Sequence, residues 1–345
     1  MAWTINNGKL YFNSVLYTGN ASTQSITGVG FQPDFIWGKN RSSVTNHSLQ
    51  DAVRGNTKVI KSSTSGAETT ITNMVTSFDS DGFSLGADSD MNGSSANQVA
   101  WNWKANGSGS LNEVGSIDST VSANTTSGFS IVTVANVGSA NFTFGHGLGV
   151  APSWVLAKSR DGGKWNNYFK SLGAGYTIQL PETGAKISNT AIWQNTNPTS
   201  SVVYSNGDQL DANESYVFYC FAEKQGYSKF GSYTGNGNAD GTFIYTGFSP
   251  AFVMVKRTDS ANSWNIKDNR RNNASTSFNI NPRNATLLPN DSAADQDANA
   301  LDFLSNGFKN RSTGNDVNNA SGSYIYMAFA ENPFTSSTGT PVTAR

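Results

Sequence analysis

Three stretches decide the fold: Gln32-Pro33-Asp34-Phe35-Ile36-Trp37-Gly38-Lys39, Ala151-Pro152-Ser153-Trp154-Val155-Leu156-Ala157-Lys158 and Ser249-Pro250-Ala251-Phe252-Val253-Met254-Val255-Lys256. Each has a proline, an aromatic residue two positions later, a short apolar run, and a lysine six positions after the proline. Proline suits the entrance of a strand, where its missing N–H costs least. An apolar run ending at lysine predicts a core strand whose last side chain emerges into water.

The similarity extends outward from these anchors. Tyr17-Thr18-Gly19-Asn20 recurs as Tyr233-Thr234-Gly235-Asn236, upstream of the first and third anchors. Asp51 and Asp268 both lie 18 residues after the anchor proline, and Arg54 and Arg271 both lie 21 after it. The second copy lacks this pair and keeps an aromatic feature, Trp165-Asn166-Asn167-Tyr168, comparable with Trp264-Asn265 in the third. Each copy closes on an aromatic strand: Val99-Ala100-Trp101-Asn102-Trp103, Tyr216-Val217-Phe218-Tyr219-Cys220-Phe221 and Tyr324-Ile325-Tyr326-Met327-Ala328-Phe329.

These repeats predict an all-β chain of three tandem β-sandwiches of jelly-roll-like or immunoglobulin-like size with long polar loops. The expected units are 1–106, 127–224 and 228–332, with a Gly/Ser/Thr-rich linker at 107–126 and a C-terminal tail at 333–345. The near absence of a connector between the last two units predicts that they pack rigidly while the first hinges. Helical periodicity is sparse, and Ala298–Leu304 is the best candidate for a short helical turn.

Composition agrees. Asn (41), Ser (45), Thr (32) and Gly (34) make up 152 of 345 residues, which alone suggests disorder, but 12% aromatic residues supply ample core. A net charge of −1 with 14% charged residues argues against a nucleic-acid binder. No apolar run reaches the ~18 residues of a membrane span. The N-terminus lacks the pattern of a secretory signal, so synthesis in a cytoplasm is expected.

The chemical inventory is thin. Cys220 is the lone cysteine and sits in an apolar run, as a buried small hydrophobe would. The two histidines, His47 and His146, have no histidine counterpart in the other copies, and no carboxylate pair recurs, so no catalytic residues are assigned and no enzyme is expected. Asp88, Asp90 and Asn92 fit the first half of a calcium loop, although its twelfth position is Val99; a polar hairpin loop is the competing reading, and no other cofactor is implied. Trp165, Asn167, Tyr168, Trp264 and Asn265 are candidates for contact with glycans or a partner, since indole suits a sugar's apolar face and Asn both donates and accepts hydrogen bonds. The alternative is that these tryptophans cover an open end of the sandwich or pack against a neighbour. Asp51 with Arg54, and Asp268 with Arg271, read as structural salt bridges within a unit.

The segment Ser25–Ser42, with His47-Ser48 and Asp51-Ala52-Val53-Arg54-Gly55, resembles a repeat domain in virion proteins of marine tailed bacteriophages, including those of cyanobacteria. Tyr324–Phe334 and the ending Pro341-Val342-Thr343-Ala344-Arg345 are similar to the C-termini of such proteins. The resemblance implies a virion structural protein, in a tail fibre or appendage that contacts host-surface glycans, or alternatively in a capsid decoration or adaptor of architectural role. The expected partners are further copies of the chain, other virion proteins and host polysaccharide, without nucleic acid or membrane insertion. A glycan-cleaving spike, from a third class, would need a repeated acidic pair or a solenoid pattern that the sequence lacks.

Overall fold

A computed structural model describes residues 5, 7–271 and 280–330. The chain is all-β, 44% strand and 3% helix, in several antiparallel sheets with no barrel. The tail 333–345 lies outside the described residues.

Each unit has a main sheet built from the same four strands. An opening strand (Phe12–Thr18, Phe129–Val134, Ser228–Thr234) pairs with a closing strand (Asn97–Trp103, Tyr216–Phe221, Ser323–Ala330). The closing strand pairs with the anchor strand (Phe35–Asn40, Trp154–Ser159, Pro250–Arg257), and that with a return strand (Ser48–Asp51, Trp165–Phe169, Asn265–Asp268). The register repeats: Phe35, Trp154 and Phe252 face Trp103, Phe221 and Phe329. Two residues on, Trp37, Leu156 and Met254 face Trp101, Tyr219 and Met327. A smaller second sheet completes each sandwich, for example Gln24–Thr27, Gly82–Leu85 and Val75–Asp79 in the first unit.

The main sheets turn one face inward, and all three line one apolar core. Its rings touch across units: Phe35 stacks on Tyr219 with centroids 4.4 Å apart, Phe12 on Phe329 at 5.2 Å, and Trp154 on Trp264 at 5.9 Å. Three further clusters, one per unit, fill the spaces between the sheets of each sandwich. The first unit therefore does not hinge. Its Phe12, Phe35, Trp101 and Trp103 are buried together with residues of both other units.

Two other expectations are corrected. The stretch 107–126 is not a free linker: Ser110–Asn112 and Ser119–Asn124 are strands that widen the second unit's main sheet. Ser116 also bonds Thr143 on the edge of the smaller sheet. Ala298–Leu304 lies within a strand, Gln296–Leu304, that pairs with Gly307–Asn310. The Asn306-Gly307 turn between them sets up a hairpin, and local helical propensity yields to that pairing.

Candidate functional site

The charged and aromatic residues shared by the repeats meet at the seams between units. In the first unit Asp51 and Arg54 form a 2.5 Å ion pair with neither side chain exposed. The second unit's Tyr219 donates its hydroxyl to Asp51 Oδ2 at 2.7 Å, and Arg54 Nη2 donates to Tyr219 Oη at 3.1 Å. Glu68 accepts from Arg54 and also from the second unit's Arg160, at 2.9 and 2.8 Å. Burial opposes charge on Glu68, yet the two guanidiniums hold it below the usual carboxylate range.

The third unit repeats the arrangement against the first. Arg271 pairs with Asp268 at 2.6 Å and with Asp295 at 2.6 Å. Trp101 of the first unit, the register equivalent of Tyr219, donates Nε1–H to Asp268 at 3.0 Å, and Arg41 pairs with Asp295 at 2.7 Å. Burial opposes charge on Asp268, but the neighbouring guanidinium and the donated hydrogen bonds hold its carboxyl down. Each pair forms within its own unit, as the spacing predicts, and each is also the centre of an inter-unit network.

The third seam, between units two and three, replaces the whole network. The hairpin of the second unit is one residue shorter, so Trp154 faces Phe169 where Phe35 and Phe252 face Asp51 and Asp268. Leu172 follows where the arginine would be, and Met327 takes the place of Tyr219 and Trp101. Phe169 and Met327 share the central cluster, with Leu172 packed against it.

At the entrance of the return strand, four residues before Asp51, Phe169 and Asp268, His47, Trp165 and Trp264 occupy equivalent places. Trp165 donates Nε1–H to the Lys61 carbonyl of the first unit at 3.1 Å, and Trp264 to the Gln179 carbonyl of the second at 3.2 Å. His47 faces the Leu288 backbone of the third unit, with Nε2 lacking a bond of good geometry. Its Nδ1 accepts from Trp37 Nε1 at 3.0 Å, and burial pushes its pKa well below the ordinary range, so the ring is neutral. His146 is likewise buried and lowered, with Nδ1 accepting from Leu148 N and Nε2 3.2 Å from the Thr199 carbonyl.

The glycan candidates are corrected here. Trp165, Asn167, Tyr168, Trp264 and Asn265 are all buried. The tryptophans pack against the neighbouring unit of the same chain. Asn167 bonds Trp154 Nε1 and the Ile178 carbonyl, Tyr168 bonds Asn197, and Asn265 bonds Asn299.

Lys39, Lys158 and Lys256 do not emerge into water either. Each is buried with its ammonium ringed by carbonyls: Lys39 on Asn40 and Ser43, Lys158 on Gly162 and Gly163, Lys256 on Asn262 and, across the seam, Thr183 of the second unit. Burial brings all three down to about 8.

Asp88, Asp90 and Asn92 have other partners than calcium. Asp88 caps a helical turn, Ser89–Asn92, by accepting from Asp90 N; Asp90 pairs with Lys61 at 3.1 Å. The Asn92 amide donates to Asn20, Ser22 and the Gly86 carbonyl, and its oxygen accepts from Asn20 N. Asn318 repeats this lock with Asn236, Asn238 and Ser312. The Tyr-Thr-Gly-Asn motif is thereby explained: a side chain at Gly19 or Gly235 would strike the backbone at Gly93 or Asn319. Among the described residues no group of three His, Cys, Asp or Glu side chains converges to hold a metal. Cys220 is buried, and burial pushes its thiol up to about 12.

Sequence reasoning missed Tyr219, Trp101, Glu68, Asp295, Arg41 and Arg160 as seam partners. The available signal was that Tyr219 and Trp101 share a register position with the apolar Met327, in the same cyclic order in which the Asp/Arg pair is present or lost.

A family model described as a domain of unknown function (DUF7483) matches residues 7–333. No curated protein and no solved structure matches the chain.

Proposed function

The chain belongs to the DUF7483 family, and we propose that it is a non-enzymatic structural protein of a tailed-bacteriophage particle, a rigid block in a tail fibre or appendage. The carrying observation is that the charged and aromatic residues repeated along the chain are buried in seams between its own units. Both histidines are neutral, buried and engaged with neighbouring groups, which suits scaffolding rather than acid–base work. The virion setting rests on the resemblance carried by Ser25–Ser42 and Tyr324–Phe334. In the particle the chain's partners are further copies of itself and other virion proteins.

Burial of all five aromatic and amide candidates favours a second reading, an adaptor or capsid decoration of purely architectural role. Mass spectrometry of purified particles, with immunogold labelling by an antibody to this chain, tests both. Label on the tail supports the first, label over the head the second, and absence of the chain from particles overturns the virion assignment.

A further inference from the structure

We propose that the third unit carries a glycan-binding platform formed by Phe243 and Tyr245. The strand Phe243–Tyr245 lies at an edge of the third unit's smaller sheet, pairing with Gly307–Asn310. Ile244 points into the core, while Phe243 and Tyr245 share the outer face, 44% and 64% exposed. Both rings lie by glycines. A side-chain carbon added at Gly307 would sit 3.1 Å from Phe243 Cε2, and one at Gly247 3.5 Å from Tyr245 Oη. Gly307 lets the Phe243 ring lie close against the protein, and both rings keep much of their surface in solvent. Alternate residues of a strand are about 7 Å apart, so the rings form a short row rather than one spot.

Beside Tyr245 is a cavity of about 360 Å³, with Glu223, Gln225 and Lys229 on its wall. That volume lies within the range of small-ligand sites. Glu223 and Lys229 pair with each other there at 2.6 Å, and beside that ion pair the Gln225 amide both donates and accepts, so the wall presents the polar groups that a ligand rich in hydroxyls bonds. An apolar ring face beside such groups matches the two-sided chemistry of a pyranose.

Folding does not ask for these rings. In the first unit Ile26 faces Phe83 as Ile244 faces Phe308, so Ser25 and Thr27 stand where Phe243 and Tyr245 do. The first unit forms the same strand with hydroxyl side chains, and the aromatics are particular to the third. The inference rests on the host-facing reading above for its biological setting, although binding itself is a property of the isolated chain.

The test is binding of the purified full chain to a printed array of bacterial capsular and lipopolysaccharide glycans. Saturation-transfer NMR with the captured oligosaccharide then shows whether aromatic protons lie against it. Tyr245→Ala and Phe243→Ala are each expected to weaken binding about tenfold, the equivalent of ~1.4 kcal/mol, and Tyr245→Trp to retain it. Both positions are exposed, so the variants' thermal midpoints should stay at the wild-type value. Binding to no printed glycan, or binding unchanged in the double alanine variant, overturns the proposal. A chain that binds glycan through Tyr245 but is absent from particles keeps the site and removes only the virion setting.

Discussion

Arg271→Leu should be among the most damaging single substitutions in this chain. Arg271 is fully buried and donates to Asp268 at 2.6 Å, Asp295 at 2.6 Å and the Ile266 carbonyl at 2.8 Å. Leucine would leave Asp268 charged in the core, with Trp101 Nε1–H and its own local backbone N–H groups as donors. Removing one member of a buried ion pair costs about 3–5 kcal/mol, because the remaining charge keeps its desolvation penalty. The second unit supplies the compensating design. Asp268→Phe, Arg271→Leu and Trp101→Met together copy its Phe169 and Leu172 and the Met327 that the third unit sets against them. Apolar replacement of a whole buried network is often neutral or stabilising, so the triple variant should recover most of the loss. Urea unfolding at constant protein concentration reads both free energies. A loss below about 1 kcal/mol for Arg271→Leu would refute the reasoning, as would a triple variant no more stable than the single.

Three further outcomes follow from the same geometry. Lys39, Lys158 and Lys256 sit at about 8 in the folded chain against an unfolded value of about 10.4. Above pH 8 the native state then binds fewer protons than the unfolded chain, so stability rises with pH between those values. His47 is held neutral well below its ordinary range; the unfolded chain alone takes up a proton as pH falls through about 6.5, and stability drops there. A urea midpoint that is flat from pH 5 to 9.5 would contradict both assignments. Trp165→Ala removes a fully buried indole and its hydrogen bond to Lys61, and should cost about 3–5 kcal/mol. An unchanged midpoint for that variant would show that Trp165 is not packed in the seam.

The distribution of polar and apolar seams has a physical logic. The two charged seams flank the first unit, which is joined to the second through 107–126 and has no direct chain link to the third. The apolar seam joins units whose strands are separated only by 222–227. Burying an ion pair is a poor way to gain stability and a better way to fix which surfaces meet. Chain connectivity already supplies that information to the last two units.

Much of the local fold was legible. The anchor prolines mark strand entrances or lie beside them, and the closing aromatics pair with the anchor strands. The relation between units was not legible. An Asp/Arg spacing of three looks the same whether its next partner is local or 168 residues away, as Tyr219 is from Asp51. Likewise Trp165 among asparagines reads as an exposed loop when the covering surface belongs to another repeat. The one-residue contraction in the second hairpin hid the match of Phe169 to Asp51 and Asp268, and so hid the exchange of a charged seam for an apolar one. His47 concealed its kinship with two tryptophans because the shared feature is a contact with a neighbouring backbone, not a residue type.

Small-angle scattering of the purified chain tests the central claim, that three repeats close around one core. A compact 345-residue body has a radius of gyration of about 20 Å. The account predicts that value, with the scattering profile of a single globular particle across the accessible salt range. Three sandwiches strung in a line, or a first unit swinging free, would give a markedly larger radius and an extended profile, and either result would contradict it.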